Sequence, residues 1–561
     1  MRSKCLDGIT GNTARTTSAY HQTTPASRTR GSTVKLPARP VRVTALVALG
    51  LASVLAVSAC TDNSVSTSST GAADKTLVID KSFDLKTSDP ARAFELTGSI
   101  VDKAIYETAL DFEGSDVTKV VPGITSFEEN ADNTVLTLTM TGTHTFSDGS
   151  PVTADDIVFS LQRVQGIAGN PSFLLDGVTV AKTSDTTVTL TSAASNPALP
   201  FILPNPSLGI VNSKVLKANG GTTGADDAAE AFLNKTSAGS GPYQLESFDV
   251  TTKVAFAPNP SYAGEKPAYS RVVLENVEGP TQKINVQAGS TQVALDLNAD
   301  QVQGMDSSVK VLKDASPYLI YSWYNQDPAV SGGVTDNADF VKAVRQGIDY
   351  SKLLSIAGEG STQPGGMVPS MFLGAITSDP ANVFDLTAAK ASLAASGYSG
   401  QAVTFSYPND ITVNGLQMQT LAEAIQSQLK DVGITLTLAP SPISTFLDAF
   451  RAGKLQSGIM YWGPDYPDPA DYLVFNPGES LGLRAGWAAG SDATVTAAAD
   501  AASAASGDDA RKTAYEAWQN AANATGPFIP VIQPGQYAVT TSEISNLELN
   551  PVWTVNIADI K

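Results

Sequence analysis

The chain has 561 residues, with 36 Lys and Arg against 55 Asp and Glu (a formal charge of −19), and 42% of its residues are hydrophobic. That length exceeds what one hydrophobic core serves, so at least two lobes are expected, and the acidity excludes general nucleic-acid binding, which needs cations to displace phosphate counterions. Its two Cys (Cys5, Cys60) and two His (His21, His144) are too few for a disulfide framework. After cleavage before Cys60 one of each remains, which also excludes a Cys/His zinc site and a Cys–His nucleophile pair.

The N-terminus reads as an address. Residues 43–59 form an uncharged apolar run, preceded by Arg39 and Arg42 and ended by Cys60. A basic flank, an apolar stretch and a small-residue cleavage site make a secretory signal. Val57-Ser58-Ala59-Cys60 resembles the bacterial lipobox, which implies that Cys60 is lipidated and becomes the first mature residue. Residues 1–59 are therefore expected as leader and signal peptide, and 60–74 as a flexible Ser/Thr/Gly/Ala tether. A membrane-spanning anchor is the alternative; the run is marginal in length and no basic stop-transfer cluster follows it. The next most apolar stretch, 197–211, is broken by Pro197, Pro200, Pro204 and Pro206. The expectation is a body lipid-anchored at Cys60 to the extracytoplasmic face of the cell membrane.

Further elements follow in chain order. Residues 76–80 are strand-like. Leu136, Leu138 and Met140 alternate with threonines, the period of a half-buried strand, after a turn-forming 128–133. Asp148-Gly149 turns the chain and Thr153 caps a helix bearing Asp155 and Asp156 in its first turn. His144 is expected to be a satisfied strand residue. Another helix should run from an Asp385 cap to Gly397. Residues 403–407 alternate as a strand, Leu416, Leu421, Ile425, Leu429 and Val432 share a helix face ending at Gly433, and 434–438 alternate again. That is a βαβ unit, hence a parallel pair. Tyr515 and Trp518 mark a further helix, and residues 531–560 read as strand. The expected organisation is α/β: a strand-rich first lobe over 75–314, a second lobe over 315–526, and a return to the first over 527–561. Two crossings permit hinge motion about an interlobe cleft.

Several of these segments resemble, in order, the signatures of the family 5 extracellular solute-binding proteins, the peptide-binding lipoproteins of ABC importers. They include Ser88-Asp89-Pro90-Ala91, Ile105-Tyr106-Glu107-Thr108, the run from Phe146 to Ser160, Gly239-Ser240-Gly241-Pro242-Tyr243, Asn259-Pro260-Ser261-Tyr262 and Val344-Arg345-Gln346-Gly347-Ile348. The resemblance covers residues 75–561. It implies a two-lobed, periplasmic-binding-protein-like fold of the class II type, in the large peptide-binding cluster, acting as a monomer with no cofactor or metal. It implies a peptide or other small solute as ligand, with ABC permease and ATPase subunits as partners. The chain has no Gly-rich Lys-Ser/Thr phosphate loop, so ATP hydrolysis must come from a partner.

The stretch 461–473 gathers three carboxylates and four aromatics on a Pro-broken loop. A carboxylate beside aromatic faces suits an ammonium, through a charge-assisted hydrogen bond and cation–π attraction. In the family, the acid at the position matched by Asp465 holds the α-ammonium of a bound peptide. The resemblance therefore assigns that role to Asp465, with Trp462 and Tyr466 beside it, and brings Tyr324 and Asn325 near the ligand. Asp468 and Asp471 read as turn and cap residues. The competing readings are a binding protein of the same fold for a sugar or nickel complex, a lipid-anchored hydrolase using paired acids such as Asp465 and Asp468, and an envelope sensor.

Overall fold

The computed structural model describes residues 75–561; the segments expected as leader and tether, with Cys60, lie outside the described residues. The chain forms two α/β lobes, each around its own sheet. In the first, strand Thr76–Lys81 lies inside a seven-stranded sheet, parallel to Arg271–Asn276 on one side and Val293–Ala294 on the other. Its Leu77 and Ile79 are fully buried. Parallel neighbours this far apart in sequence need long crossovers, and the intervening chain supplies a second layer. That layer holds a four-stranded antiparallel sheet with Val135–Met140 next to Thr187–Ser192. Leu136 and Leu138 point inward onto Ile157, Leu161 and Val164 of helix Ala154–Gly166. The turn before them is set by Asn130, whose Oδ1 accepts the N–H groups of Thr134 and Val135 at 2.9 Å.

The segments that carried the family resemblance are braces. Asp156 Oδ2 accepts from the Thr153 N–H at 2.9 Å, closing the helix start, and Asp156 Oδ1 accepts the Ser213 N–H. Arg163, on the same helix and 1% exposed, forms two 2.6 Å hydrogen bonds to Asp89 and two of 2.8 Å to Asp227. The Gly241 N–H donates to the carbonyl of Ile105, and a Cβ there would sit 2.5 Å from the Ile105 carbonyl carbon, so only glycine fits. Arg345 is buried and donates to the carbonyls of Gly526 and Phe528. His144 lies outside the strands, with Nδ1 3.0 Å from Glu107 Oε1; that hydrogen bond raises its pKa.

The second lobe contains the βαβ unit read from the sequence. Val403–Pro408 pairs in parallel with Leu436–Ser441, joined by helix Met418–Val432, whose Leu421, Ala422, Ile425 and Leu429 are fully buried. Each such Leu or Ile contributes about 1.5–3 kcal/mol of burial. Gly433 ends the helix at φ 110°, a conformation that favours glycine. The helix starts at Met418, so Leu416, expected on its apolar face, lies instead in a short strand before it. The sheet order is Leu436–Ser441, Val403–Pro408, Ser457–Trp462, Leu319–Tyr324, Phe528–Ile532.

That last strand moves one expected boundary. Phe528–Ile532 completes the second sheet, antiparallel to Leu319–Tyr324, and only Gly535–Thr541 rejoins the first. The chain returns at 533–534, not at 527, because an apolar strand is equally suited to either sheet and only pairing decides. Residues 542–561, expected as strand, are irregular, with Asn546 and Thr554 at positive φ. The two crossings lie side by side. The Ser316 N–H donates to Pro534 O at 2.8 Å, and Gln533 Nε2 donates to Ser316 O at 2.9 Å. One apolar cluster spans the lobes, joining Phe112, Phe201 and Trp553 of the first to Trp462 and Phe475 of the second.

Candidate functional site

A cavity of about 470 Å³ lies between the lobes. Its second-lobe wall starts where the chain has just crossed, at Pro317 and Tyr318, and continues through Tyr461 and the loop Gly463 to Pro467. The Tyr318 and Tyr461 rings meet edge to face at 5.7 Å. The first-lobe wall comes from Asp84, Lys86 and the start of helix Leu96–Ile105.

Local physics fixes the loop. Strand Ser457–Trp462 ends at Gly463-Pro464, because Pro464 has no N–H to continue a ladder. Asp468 then starts the short helical turn Pro469–Phe475, its Oδ1 accepting the Ala470 N–H at 2.9 Å. The same carboxylate receives two hydrogen bonds, of 2.7 and 2.6 Å, from Arg511 of helix Asp508–Thr525. Asp471 Oδ2 accepts the Asp465 N–H at 2.9 Å. Asp468 and Asp471 are thus the cap and turn residues read from the sequence, and they hold Asp465 in the cavity wall, 3% exposed. Burial, and secondly the charge of Asp465, push the Asp471 carboxyl well above its ordinary range.

On the first lobe, the Asp84 carboxylate accepts the N–H groups of Leu96 and Thr97 at 3.1 and 2.9 Å, where the helix dipole favours a negative charge. Lys86 Nζ lies 2.8 Å from Glu95 Oε1. Lys86 is the only cation in a lining that carries three carboxylates, Asp84, Glu95 and Asp465. The site thus favours a ligand with a cationic group. Among the described residues no cluster of three or more His, Cys, Asp or Glu is arranged to hold a metal ion.

The structure separates the residues that the sequence grouped. Asp465 and Tyr466 line the cavity. Trp462 is 1% exposed and turned into the second-lobe core, its ring 5.8 Å from Phe475, so it stands behind the loop and does not form the wall. Tyr324 is buried against Phe340. Asn325 spends its side chain on backbone: Nδ2 donates to Gly453 O and Leu455 O, and Oδ1 accepts the Asp327 N–H. The reason is reach. Tyr318 at one end of the strand faces the cavity, and Tyr324 lies six residues on, about 20 Å away at about 3.3 Å per residue. Lys86 and Glu95 carried no signal of their own, since their placement depends on a contact between lobes; Tyr318 reaches the site through the pairing of Leu319–Tyr324 with Ser457–Trp462.

The profile of the bacterial extracellular solute-binding proteins, family 5 (middle region), matches residues 119–480. The chain belongs to that family. It is therefore a solute-binding protein and not an enzyme. Family 5 relatives include the probable D,D-dipeptide-binding periplasmic protein DdpA of Escherichia coli, 28% identical over 413 residues, covering 71% of this chain and 76% of the relative. HbpA2 from Haemophilus parasuis superposes with a TM-score of 0.76 at 20% identity, covering 87% of this chain and 99% of that one. The periplasmic binding protein DppA from Helicobacter pylori, solved with the peptide STSA, superposes at 0.68 and 17% identity over 87% and 98%. These structural likenesses establish the fold of a two-lobed binding protein with a cleft. Among the described residues no helix is long and apolar enough to cross a membrane.

Proposed function

We propose that this family 5 protein captures short peptides in the interlobe cavity, holds the peptide α-ammonium on Asp465, and delivers its cargo to an ABC permease powered by a separate ATPase. The observation that carries the reading is the position of Asp465 in the wall of a cavity that both lobes line. An ammonium there gains a charge-assisted hydrogen bond in a water-poor setting, with Tyr466 and the Tyr318–Tyr461 pair excluding solvent. The names of the relatives, which describe binders of D,D-dipeptides and of di- and tripeptides, support the cargo class. A ligand that touches both lobes favours the closed arrangement, because only there are both sets of contacts made. The adjacent crossings at Ser316 and Gln533 provide the axis. We further propose anchoring by lipid at Cys60, with two or more acyl chains, since one gives only reversible attachment.

The test is native mass spectrometry of the purified mature chain, followed by calorimetry. Short peptides should co-purify. Asp465→Asn should weaken an unblocked peptide by at least tenfold more than its N-acetylated form, the range of one charge-assisted hydrogen bond. Equal losses for the two forms would remove Asp465 from the ammonium role, and a co-purifying sugar or metal complex would replace the peptide reading.

A further inference from the structure

Behind the loop lies a second cavity of about 240 Å³, also formed by both lobes. Its first-lobe side comes from Phe173 and Ala198, and its second-lobe side from Ala470, Leu473, Val474 and Tyr515. Two residues, Asp465 and Tyr466, line both this space and the 470 Å³ cavity. Tyr466 is 6% exposed and belongs to the apolar cluster of the first lobe although its backbone is in the second. A second aromatic pair continues the division. Phe94 lines the large cavity, Phe173 the small one, and their rings meet edge to face at 5.4 Å and 87°.

We infer that Tyr466 is the partition between the two cavities and sets the size of side chain accepted at the amino-terminal residue of the ligand. The inference rests on the proposed seating of a peptide ammonium at Asp465. An ammonium there puts the first side chain beside the next residue of the loop, and the space beyond that residue offers the apolar Phe173, Leu473 and Val474, with Asn196, Asp471 and Glu479 as its polar margin. With the tyrosine ring in place, only a small first side chain fits. With the ring removed, the side chain extends into the pocket formed by Phe173, Ala198, Leu473 and Val474. The burial that holds the ring there also keeps its hydroxyl neutral, pushing the phenol well above its ordinary range.

The experiment uses calorimetry on the mature chain with the dipeptides Ala-Ala, Leu-Ala and Trp-Ala, in wild type, Tyr466→Ala, Tyr466→Leu and Tyr466→Phe. Tyr466→Leu retains apolar packing and is the variant of choice if the alanine form does not fold. Shortening the side chain should shift the ratio of Trp-Ala to Ala-Ala affinity toward Trp-Ala by about tenfold, the scale of filling a hydrophobic pocket. Tyr466→Phe, which retains the ring, should keep the wild-type ranking. A uniform loss across the three peptides, or the same shift in Tyr466→Phe, overturns the partition role while leaving peptide binding intact. Failure of the wild type to bind any of the three overturns the peptide reading and the partition with it.

Discussion

A Cβ built on Gly463 would lie 2.4 Å from Cε1 of Tyr318. The loop that carries Asp465 and the segment that has just crossed from the first lobe therefore touch with no room for a side chain, and the Tyr318 ring is held between Gly463 and Tyr461. The glycine is required by this approach, not by its backbone angles.

Gly463→Ala should push the Tyr318 ring out of place at a cost of about 1–3 kcal/mol, the usual range for overpacking. Ligand affinity should fall by about tenfold or more. In the double variant with Tyr318→Ala the two effects should be strongly non-additive, as read by a double-mutant cycle in calorimetry.

The Asp465–Asp471 contact makes stability depend on pH with a definite sign. Asp471 has its carboxyl raised well above 3.8 by burial first and by Asp465 second. The folded chain then holds that proton more tightly than the unfolded chain, so stability is lost as pH rises above 3.8. Asp471→Asn keeps an oxygen to accept the Asp465 N–H and removes the titration. Its melting temperature should exceed that of wild type at pH 7–8, and the gap should close below pH 3.8. A gap of constant size across that range would show that folding does not raise the pKa of the carboxyl.

Arg163 gives the opposite sign through Asp227. Its hydrogen bonds help to hold the Asp227 carboxyl at about 2, against the opposing effect of burial. A depressed folded-state value contributes stability above 3.8 that is lost as pH falls toward 2. Arg163→Met should destabilise the first lobe by about 3 kcal/mol at neutral pH, since it leaves the buried Asp89 and Asp227 to the more exposed Arg92 alone. Chemical denaturation should show the penalty shrinking in acid.

Gln533 ties the two crossings, donating to Ser316 O at 2.9 Å and accepting the Ser370 N–H at 3.1 Å, with no exposure to solvent. Gln533→Ala leaves the buried Ser316 carbonyl without that partner, at about 1–3 kcal/mol. Melting should fall, and small-angle scattering of the unliganded chain should show a wider spread of lobe separations than in wild type.

The local features of this protein were legible because they arise from neighbours in sequence. The alternation at Leu136 and Leu138, the Thr153 cap, the βαβ unit whose helix ends at Gly433, and the cap and turn roles of Asp468 and Asp471 all follow from spacing and side-chain chemistry within a few residues. The family resemblance pointed to Asp465, and the loop geometry carries it to the cavity wall. Tertiary structure alone decided the rest. Phe528–Ile532 joined the second sheet through pairing with a strand more than two hundred residues away. Trp462, Tyr324 and Asn325 turned inward because a strand buried on both faces offers the cavity only its end. Lys86 and Glu95 became neighbours of Asp465 only where the two lobes meet, and Tyr318 only where two distant strands of the second sheet pair. A sequence period records which face of an element is apolar; it holds no record of which distant surface that face will meet.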